Sequence, residues 1–244
     1  MTQLTTYLGC PRKYLFRYVE RRVAERRSAE LALGSAVHSA IEWWMGERLQ
    51  GREPTDEAVA RLFRVDWHAQ VAADEYDFED KTPEAYKAVG EQLVALFVTR
   101  FRSEPPMRSE ERFEVFVSDP RSGEPLPVPF IGIFDLVGDD SVGEIKTAAK
   151  KNGLDTYALQ LSAYQYAHRQ LTGRPARFRV IQLVKTKTPR IEVEEAEVGA
   201  TDEDWFAEVA VAAYRSVSSG VAFHPNPSWM CGRCEFWGAC RRAA

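Results

Sequence analysis

The stretch Phe130-Ile-Gly-Ile-Phe-Asp-Leu-Val-Gly-Asp-Asp-Ser-Val-Gly-Glu-Ile-Lys-Thr147 constrains the fold more than any other part of the chain. Two apolar runs flank Gly138-Asp139-Asp140-Ser141, which reads as a tight hairpin turn between two strands. With Asp139-Asp140 as the loop, the register sets Asp135 directly opposite Glu144 and Ile133 opposite Lys146. A slip of one residue would send the two carboxylates to opposite faces, so the pairing depends on loop length. Like charges opposed across a hairpin destabilise it. Their neighbours Ile133, Phe134, Leu136, Val137, Val142 and Ile145 are core-forming, so both anions are expected in poorly solvated ground. Burying them requires a cation between them. That cation is either Lys146, as a structural ion pair, or a divalent metal with Lys146 beside the reacting group.

The remaining periodicities place this hairpin in a mixed architecture. Helical patterns run over 34–50 after Gly34-Ser35, 55–73, 83–102 after Thr82-Pro83, and 154–172. A further helix is expected from Thr201, as N-cap, to Ser219, with Gly220 as its stop. Strands are expected at Arg112–Ser118, Val128–Val137, Val142–Thr147, Phe178–Thr186 and Ile191–Val198. Helices, three strands, a helix and two more strands predict an α/β fold: a mixed sheet flanked by helices, with a helical N-terminal elaboration. The acidic run Asp74–Asp80 lacks the glycine and spacing of a calcium loop and is expected to be solvated.

Composition narrows the function classes. The 244 residues are 45% hydrophobic and 28% charged, the proportions of a folded globular chain. No apolar run approaches the roughly 18 residues of a membrane span, and no secretory pattern is visible at the start. Both point to a cytoplasmic protein with reduced thiols. A net charge of -4 rules out a global positive field. It conceals basic blocks, however: residues 1–27 carry seven basic against two acidic side chains, and residues 144–190 ten against two. Residues 191–208 carry eight acids and no base. Such segregation suits a basic face for phosphates on an otherwise acidic protein, or simply solvated surfaces.

Downstream of the hairpin, Gln160 and Tyr164 are spaced i, i+4 and project from one helix face. Asp135, Glu144-Ile145-Lys146 and Gln160-Leu-Ser-Ala-Tyr164 together resemble the PD-(D/E)XK nuclease superfamily, in its RecB-like branch. His38, in Gly34-Ser-Ala-Val-His38-Ser-Ala-Ile-Glu42, matches the upstream histidine motif of that branch. His68, His168 and His224 match no motif and are read as structural. The resemblance runs from Thr5-Thr6-Tyr7 to Cys240 and is thinnest over about 45–110, read as a helical insertion.

Three of the four cysteines fall in Cys231-Gly-Arg-Cys234-Glu-Phe-Trp-Gly-Ala-Cys240, and the fourth is Cys10. Four thiolates suit one four-coordinate site that brings the chain ends together. Ligand count alone leaves zinc and iron–sulfur open. The resemblance implies the latter, because one N-terminal cysteine plus a C-terminal triplet is similar to the 4Fe-4S staple of RecB-like nucleases. It is found in AddB-type subunits and in the CRISPR-associated adaptation nuclease.

What the resemblance implies is a restriction-endonuclease-like fold with an iron–sulfur staple joining the termini, in a single domain over 1–244. Residues 1–110 would be its mainly helical part, 111–200 the catalytic core, and 201–244 the last helix and cysteine cluster. His38, Asp135, Glu144 and the carbonyl of Ile145 would hold Mg²⁺ or Mn²⁺. Lys146, Gln160 and Tyr164 would act on and around the scissile phosphate. Arg12, Lys13, Arg17, Lys150 and Lys151 are the candidate contacts to DNA phosphates, with Tyr7, Tyr14 and Tyr18 placed either to stack on bases or to pack the first helix. The activity implied is a metal-dependent exonuclease on single-stranded DNA or overhangs, in repair, recombination or phage metabolism. Trimming of prespacer overhangs in CRISPR adaptation is the alternative, and a non-catalytic DNA-binding or interaction module on a nuclease fold is the rival of another class. No helicase motif is present, so unwinding would need a helicase partner, just as trimming would need an integration partner.

Overall fold

The computed structural model describes residues 1–220 and 223–242; residues 221, 222, 243 and 244, within the expected C-terminal part, lie outside the described residues. The chain opens with helix α1 (Thr2–Gly9), a single turn α2 (Pro11–Tyr14) and a π-helical turn at Leu15–Val19. After the short strand β1 (Arg27–Ser28) comes the long helix α3 (Ala29–Leu49). Its cap is Ser28, whose hydroxyl accepts the Glu30 N–H. The helix therefore starts ahead of the expected residue 34. Gly34 is no boundary: it lies inside α3, where an added Cβ would come 3.4 Å from Thr147 Oγ1. Gly34 thus packs against the sheet at ordinary van der Waals distance.

Helices α4 (Asp56–Ala73) and α5 (Pro83–Phe101) follow as expected. Thr55 Oγ1 accepts the Ala58 N–H and Thr82 Oγ1 the Ala85 N–H, both at 3.2 Å. Caps of this kind contribute about 1 kcal/mol each. Between them, residues 74–80 are not a free loop. Strand β2 (Tyr76–Asp77) pairs parallel to β1, Asp74 binds Arg27, and Glu79 binds Arg233 at 3.3 Å. Asp74, Asp77 and Glu79 thus meet arginines at the surface, while Glu75 and Asp80 are exposed with no ion pair among the described residues, in keeping with a solvated run.

The main sheet contains β3 (Arg108–Val115), β4 (Phe130–Val137), β5 (Ser141–Ala148), β6 (Arg177–Val184) and β7 (Arg190–Ala196), in that spatial order. Only β5 and β6 are parallel, and α6 (Ala158–Thr172) makes the crossover such a pair requires. Strand β3 lies several residues earlier than the expected Arg112–Ser118, because its pairing with β4 starts at Arg108–Val137; Ser118 makes only an isolated bridge to Pro125. Helix α7 (Ala200–Ser218) is capped by Gly199, not Thr201; the Asp202 carboxylate turns back to accept the Gly199 N–H at 2.7 Å. The chain ends in a 3₁₀ turn (Trp229–Arg233) and a short α8 (Trp237–Arg242).

Helices α3, α4 and α5 cover one face of the sheet. Trp44, Phe63, Trp67 and Phe97 pack there with Leu136, Ile145, Ile181 and Leu183. Segment 45–110 is therefore a layer of the core and not an appended insertion. On the other face α6 sets Leu161, Tyr164 and Ala167 against Phe113, Phe134, Val142 and Val180. Among the described residues, no helix is long and apolar enough to cross a membrane.

Candidate active site

Strands β4 and β5 pair at Val137–Val142 and Leu136–Gly143, the register expected from a two-residue turn. The ladder then stops, one step before Asp135 and Glu144. Beyond it the backbone bonds to side chains: Asp135 Oδ2 accepts the Ile145 N–H at 2.7 Å, and Tyr164 donates its hydroxyl to the Ile133 carbonyl at 2.7 Å. The expected Ile133–Lys146 pair does not form: the Ile145 N–H, which this register would give to the Phe134 carbonyl, goes to the Asp135 side chain instead. Alternation also breaks here. Phe134 packs with the α6 side and Leu136 with the α3 side, although residues two apart in a regular strand share a face.

The irregularity extends to the edge strand. The β3–β4 register places Glu110 opposite Asp135, yet both are skipped by the ladder, and Glu110 adopts φ +51°. A left-handed backbone at a non-glycine residue is uncommon and costs of order 1 kcal/mol or more. It turns the Glu110 carboxylate toward α3, where Oε1 lies 3.2 Å from His38 Nδ1. Asp135 Oδ1 is 3.9 Å from the same nitrogen. One ligand atom each from His38, Glu110 and Asp135 falls within 4.8 Å of the others, the only such group of three or more among the described residues. Glu110 was not singled out from the sequence. Its neighbours Arg108, Ser109, Glu111 and Arg112 make it look like ordinary edge-strand charge, and only its register against Asp135 distinguishes it.

Glu144 is 1% exposed. Its Oε1 is engaged by Lys146 Nζ and by Gln160 Nε2, the latter at 2.8 Å. Its Oε2 is buried and has no hydrogen-bond partner. An orphaned buried carboxylate oxygen is costly unless a cation satisfies it. Gln160 Nε2 also reaches Tyr164 Oη at 2.9 Å, so the i, i+4 pair and Glu144 form one chain of hydrogen bonds.

Electrostatics follow from this crowding. Burial, reinforced by the charge of Glu144, pushes the Asp135 carboxyl up to about 7. Burial opposes the charge on Lys146, but Glu144 outweighs it and the ammonium is held more firmly than usual. His38 likewise resists burial: its bond to Glu110 and the charge of Asp135 raise its pKa. Burial and the two acids raise the Tyr164 hydroxyl as well, so Tyr164 remains a donor. Two carboxylates and an imidazole gathered within 4.8 Å, with the Glu144 carboxylate and its orphan oxygen close enough to raise the Asp135 carboxyl, suit a hard divalent cation.

The chain ends meet beside this layer. Arg12 N–H donates to the His224 carbonyl at 3.1 Å and Glu25 N–H to the Glu235 carbonyl at 2.8 Å. All four cysteines are free thiols of intermediate burial. Cys10 Sγ accepts the Asn226 N–H at 3.5 Å, and Cys231 Sγ the Ser228 N–H at 3.3 Å. Burial raises the Cys234 thiol. Of the five candidate DNA contacts, Arg12 donates to the Phe223 carbonyl, Lys13 and Arg17 pair with Glu235, and Lys151 pairs with Glu194. Lys150 has no ion-pair partner among the described residues. Tyr14 packs edge-on to Tyr7, against Tyr18, and stacked on Phe223.

The family model of the PD-(D/E)XK nuclease superfamily matches residues 1–241. Among solved structures, a "Putative exonuclease" from Eubacterium rectale superposes with a TM-score of 0.65 at 16% identity, covering 100% of this chain and 86% of that one. A second, SSO0001, reaches a TM-score of 0.40 at 13% identity over 83% of this chain and 94% of that one, too distant to inform the reading. No curated protein matches the chain.

Proposed function

Because the chain belongs to the PD-(D/E)XK nuclease superfamily, we propose that it is a metal-dependent exonuclease acting on single-stranded DNA or overhangs, in repair, recombination or phage DNA metabolism. The observation that carries the hydrolytic reading is the orphan Glu144 Oε2 beside Asp135 and Lys146, in a seam where the sheet gives up its own pairing. Asp135, Glu144, His38 and the Ile145 carbonyl would hold the Mg²⁺ or Mn²⁺, and Glu110 joins them as a further ligand. Such an ion supplies an activated water and polarises the scissile phosphate.

The protein side chains do the rest. Lys146, kept charged by Glu144, points its ammonium at the phosphate and offsets the negative charge that grows as water attacks phosphorus and the P–O bond breaks. Gln160 holds Glu144 and Tyr164 in place. Tyr164 keeps its proton and pins Ile133, so the open seam does not close. Cys10, Cys231, Cys234 and Cys240 would carry a 4Fe-4S cluster on the two knitted chain ends, which requires thiolates that form no single ligand group among the described residues of this structure to be drawn together. Its role would be to fix the termini. Lys150, and Lys151, Arg12, Lys13 and Arg17 after exchange of their present partners, would meet phosphates.

The test is degradation of 5′- and 3′-end-labelled single-stranded DNA, with Mg²⁺ or Mn²⁺, by anaerobically purified wild type and Lys146→Ala. Metal-dependent shortening that the variant lacks is the expected result, and the label pattern gives polarity. DNA binding without cleavage under either metal would replace this reading with the non-catalytic one. A colourless protein would remove the iron–sulfur cluster.

A further inference from the structure

Asp135, Glu144, Lys146, Gln160 and Tyr164 line a cavity of about 910 Å³ whose walls are otherwise mostly apolar. Val128, Ile131 and Ile133 line it from β4 and its approach, 45%, 41% and 44% exposed respectively. Ile131 and Ile133 share a strand face, and a sheet face open to water ordinarily carries polar side chains. Here it carries branched aliphatics that lead directly to Asp135. Tyr7, Tyr14 and Tyr214 line the cavity as well. Apart from Lys146, Arg112 is the sole basic side chain among the lining residues.

This lining is wrong for a duplex and right for unpaired bases. A duplex presents phosphates outward and is held by rows of Lys and Arg. Single strands present base faces, which pack on apolar and aromatic walls whatever their sequence. A contiguous exposed apolar patch on a monomer generally marks a binding surface. We propose that the cleft is a base-binding subsite: it receives the unpaired bases of the strand being cut, while their phosphates stay beside Asp135 and Lys146. The proposal rests on the nuclease reading and makes the apolar stripe of β4 the determinant of strand selectivity. A base still paired in a duplex cannot enter without being pulled from its stack.

The test separates bases from phosphates. Lys146→Ala protein in EDTA is titrated against a fluorescently labelled thymidine oligonucleotide and an abasic oligonucleotide of equal length, read by anisotropy. The normal strand is expected to bind roughly tenfold tighter or more. Introducing Val128→Gln and Ile131→Gln together should abolish that preference and leave abasic binding unchanged. These surface changes are neutral and leave the core intact, and circular dichroism verifies the fold; Tyr214→Ala supplies an independent second variant. Equal affinity for the two strands overturns the proposal, as does loss of both affinities in parallel. Wild-type cleavage is scored separately. Cleavage without base preference sinks the subsite and spares the proposed activity, whereas base preference without cleavage does the reverse.

Discussion

Strand β5 treats its two neighbours in opposite ways. Toward β6 it pairs without a gap at eight positions, from Ser141–Arg177 to Ala148–Val184. Toward β4 it pairs at two, Val137–Val142 and Leu136–Gly143, and then hands its backbone to side chains. The closed seam is lined by Val180, Ile181 and Leu183, all fully buried. The open seam holds Asp135, Glu144 and Lys146. One strand thus anchors the fold on one edge and presents the candidate site on the other, where ladder hydrogen bonds are withheld. Acids that would be repelled from a regular hairpin are tolerated where the ladder has already ended.

The sharpest break of this comparison is a crossed pair of substitutions. Lys146→Ala, in the open seam, should lower the single-turnover cleavage rate by roughly 10²–10³-fold, the usual loss for one group aimed at transition-state charge. Ile181→Ala, in the closed seam, should cost about 2–5 kcal/mol of stability and leave the rate per folded molecule unchanged. Urea melts and cleavage assays on both proteins decide it. If Ile181→Ala also abolished cleavage in protein shown to be folded, the two edges would not be separable.

Proton binding distinguishes the edges next. With Asp135 held at about 7 when folded and an ordinary value of 3.8, the metal-free folded chain keeps a proton that the unfolded chain has released. A metal ion must displace the Asp135 proton. His38, as a further ligand with a raised pKa, must lose its proton too, so the apparent affinity should tighten with rising pH, about tenfold per unit for Asp135 below 7, and level off only once His38 has also titrated. Mn²⁺ titrations at several pH values test this, and a flat profile would remove Asp135 from the ligand set.

A smaller effect is expected at Glu110. Glu110→Gln keeps a hydrogen-bond partner for His38 but removes one charge, so metal affinity should drop roughly 10–100-fold, the range for groups that ligate weakly or orient a ligand. Unchanged Mn²⁺ affinity would leave its left-handed backbone without a functional explanation. This residue also shows where sequence reading stopped. The β4–β5 register was legible because a two-residue Asp-Asp turn dictates it, and the Gln160–Tyr164 pair because helical spacing does. Glu110 was not, because its value depends on lying opposite Asp135 across a strand whose start was itself misplaced. Gly34 misled in a related way: taken alone, a glycine before a helical run is a boundary, and only contact with Thr147 reveals it as a packing site. The layer formed by α4 and α5 was visible as helices but not as core, since periodicity tells that a face is buried and not against what.

The finest probe is Tyr164→Phe. The ring would stay, packed against Phe113 and Phe134 with centroids 5.9 and 5.1 Å away. The hydroxyl would go, and with it the donor to the Ile133 carbonyl and the partner of Gln160. Losing such a bond costs about 1 kcal/mol, somewhat more if the carbonyl is left dry. The structural cost should be of that order in a urea melt. If the hydroxyl only fills space, cleavage should be untouched. If it holds the seam open, Ile133 gains freedom to move toward Lys146, the unmade rung of the ladder, and the maximal rate should fall with the affinity for single-stranded DNA unchanged. A rate equal to wild type in a protein weakened by about 1 kcal/mol would mean that Asp135 and its bond to Ile145 are sufficient to keep the two strands apart.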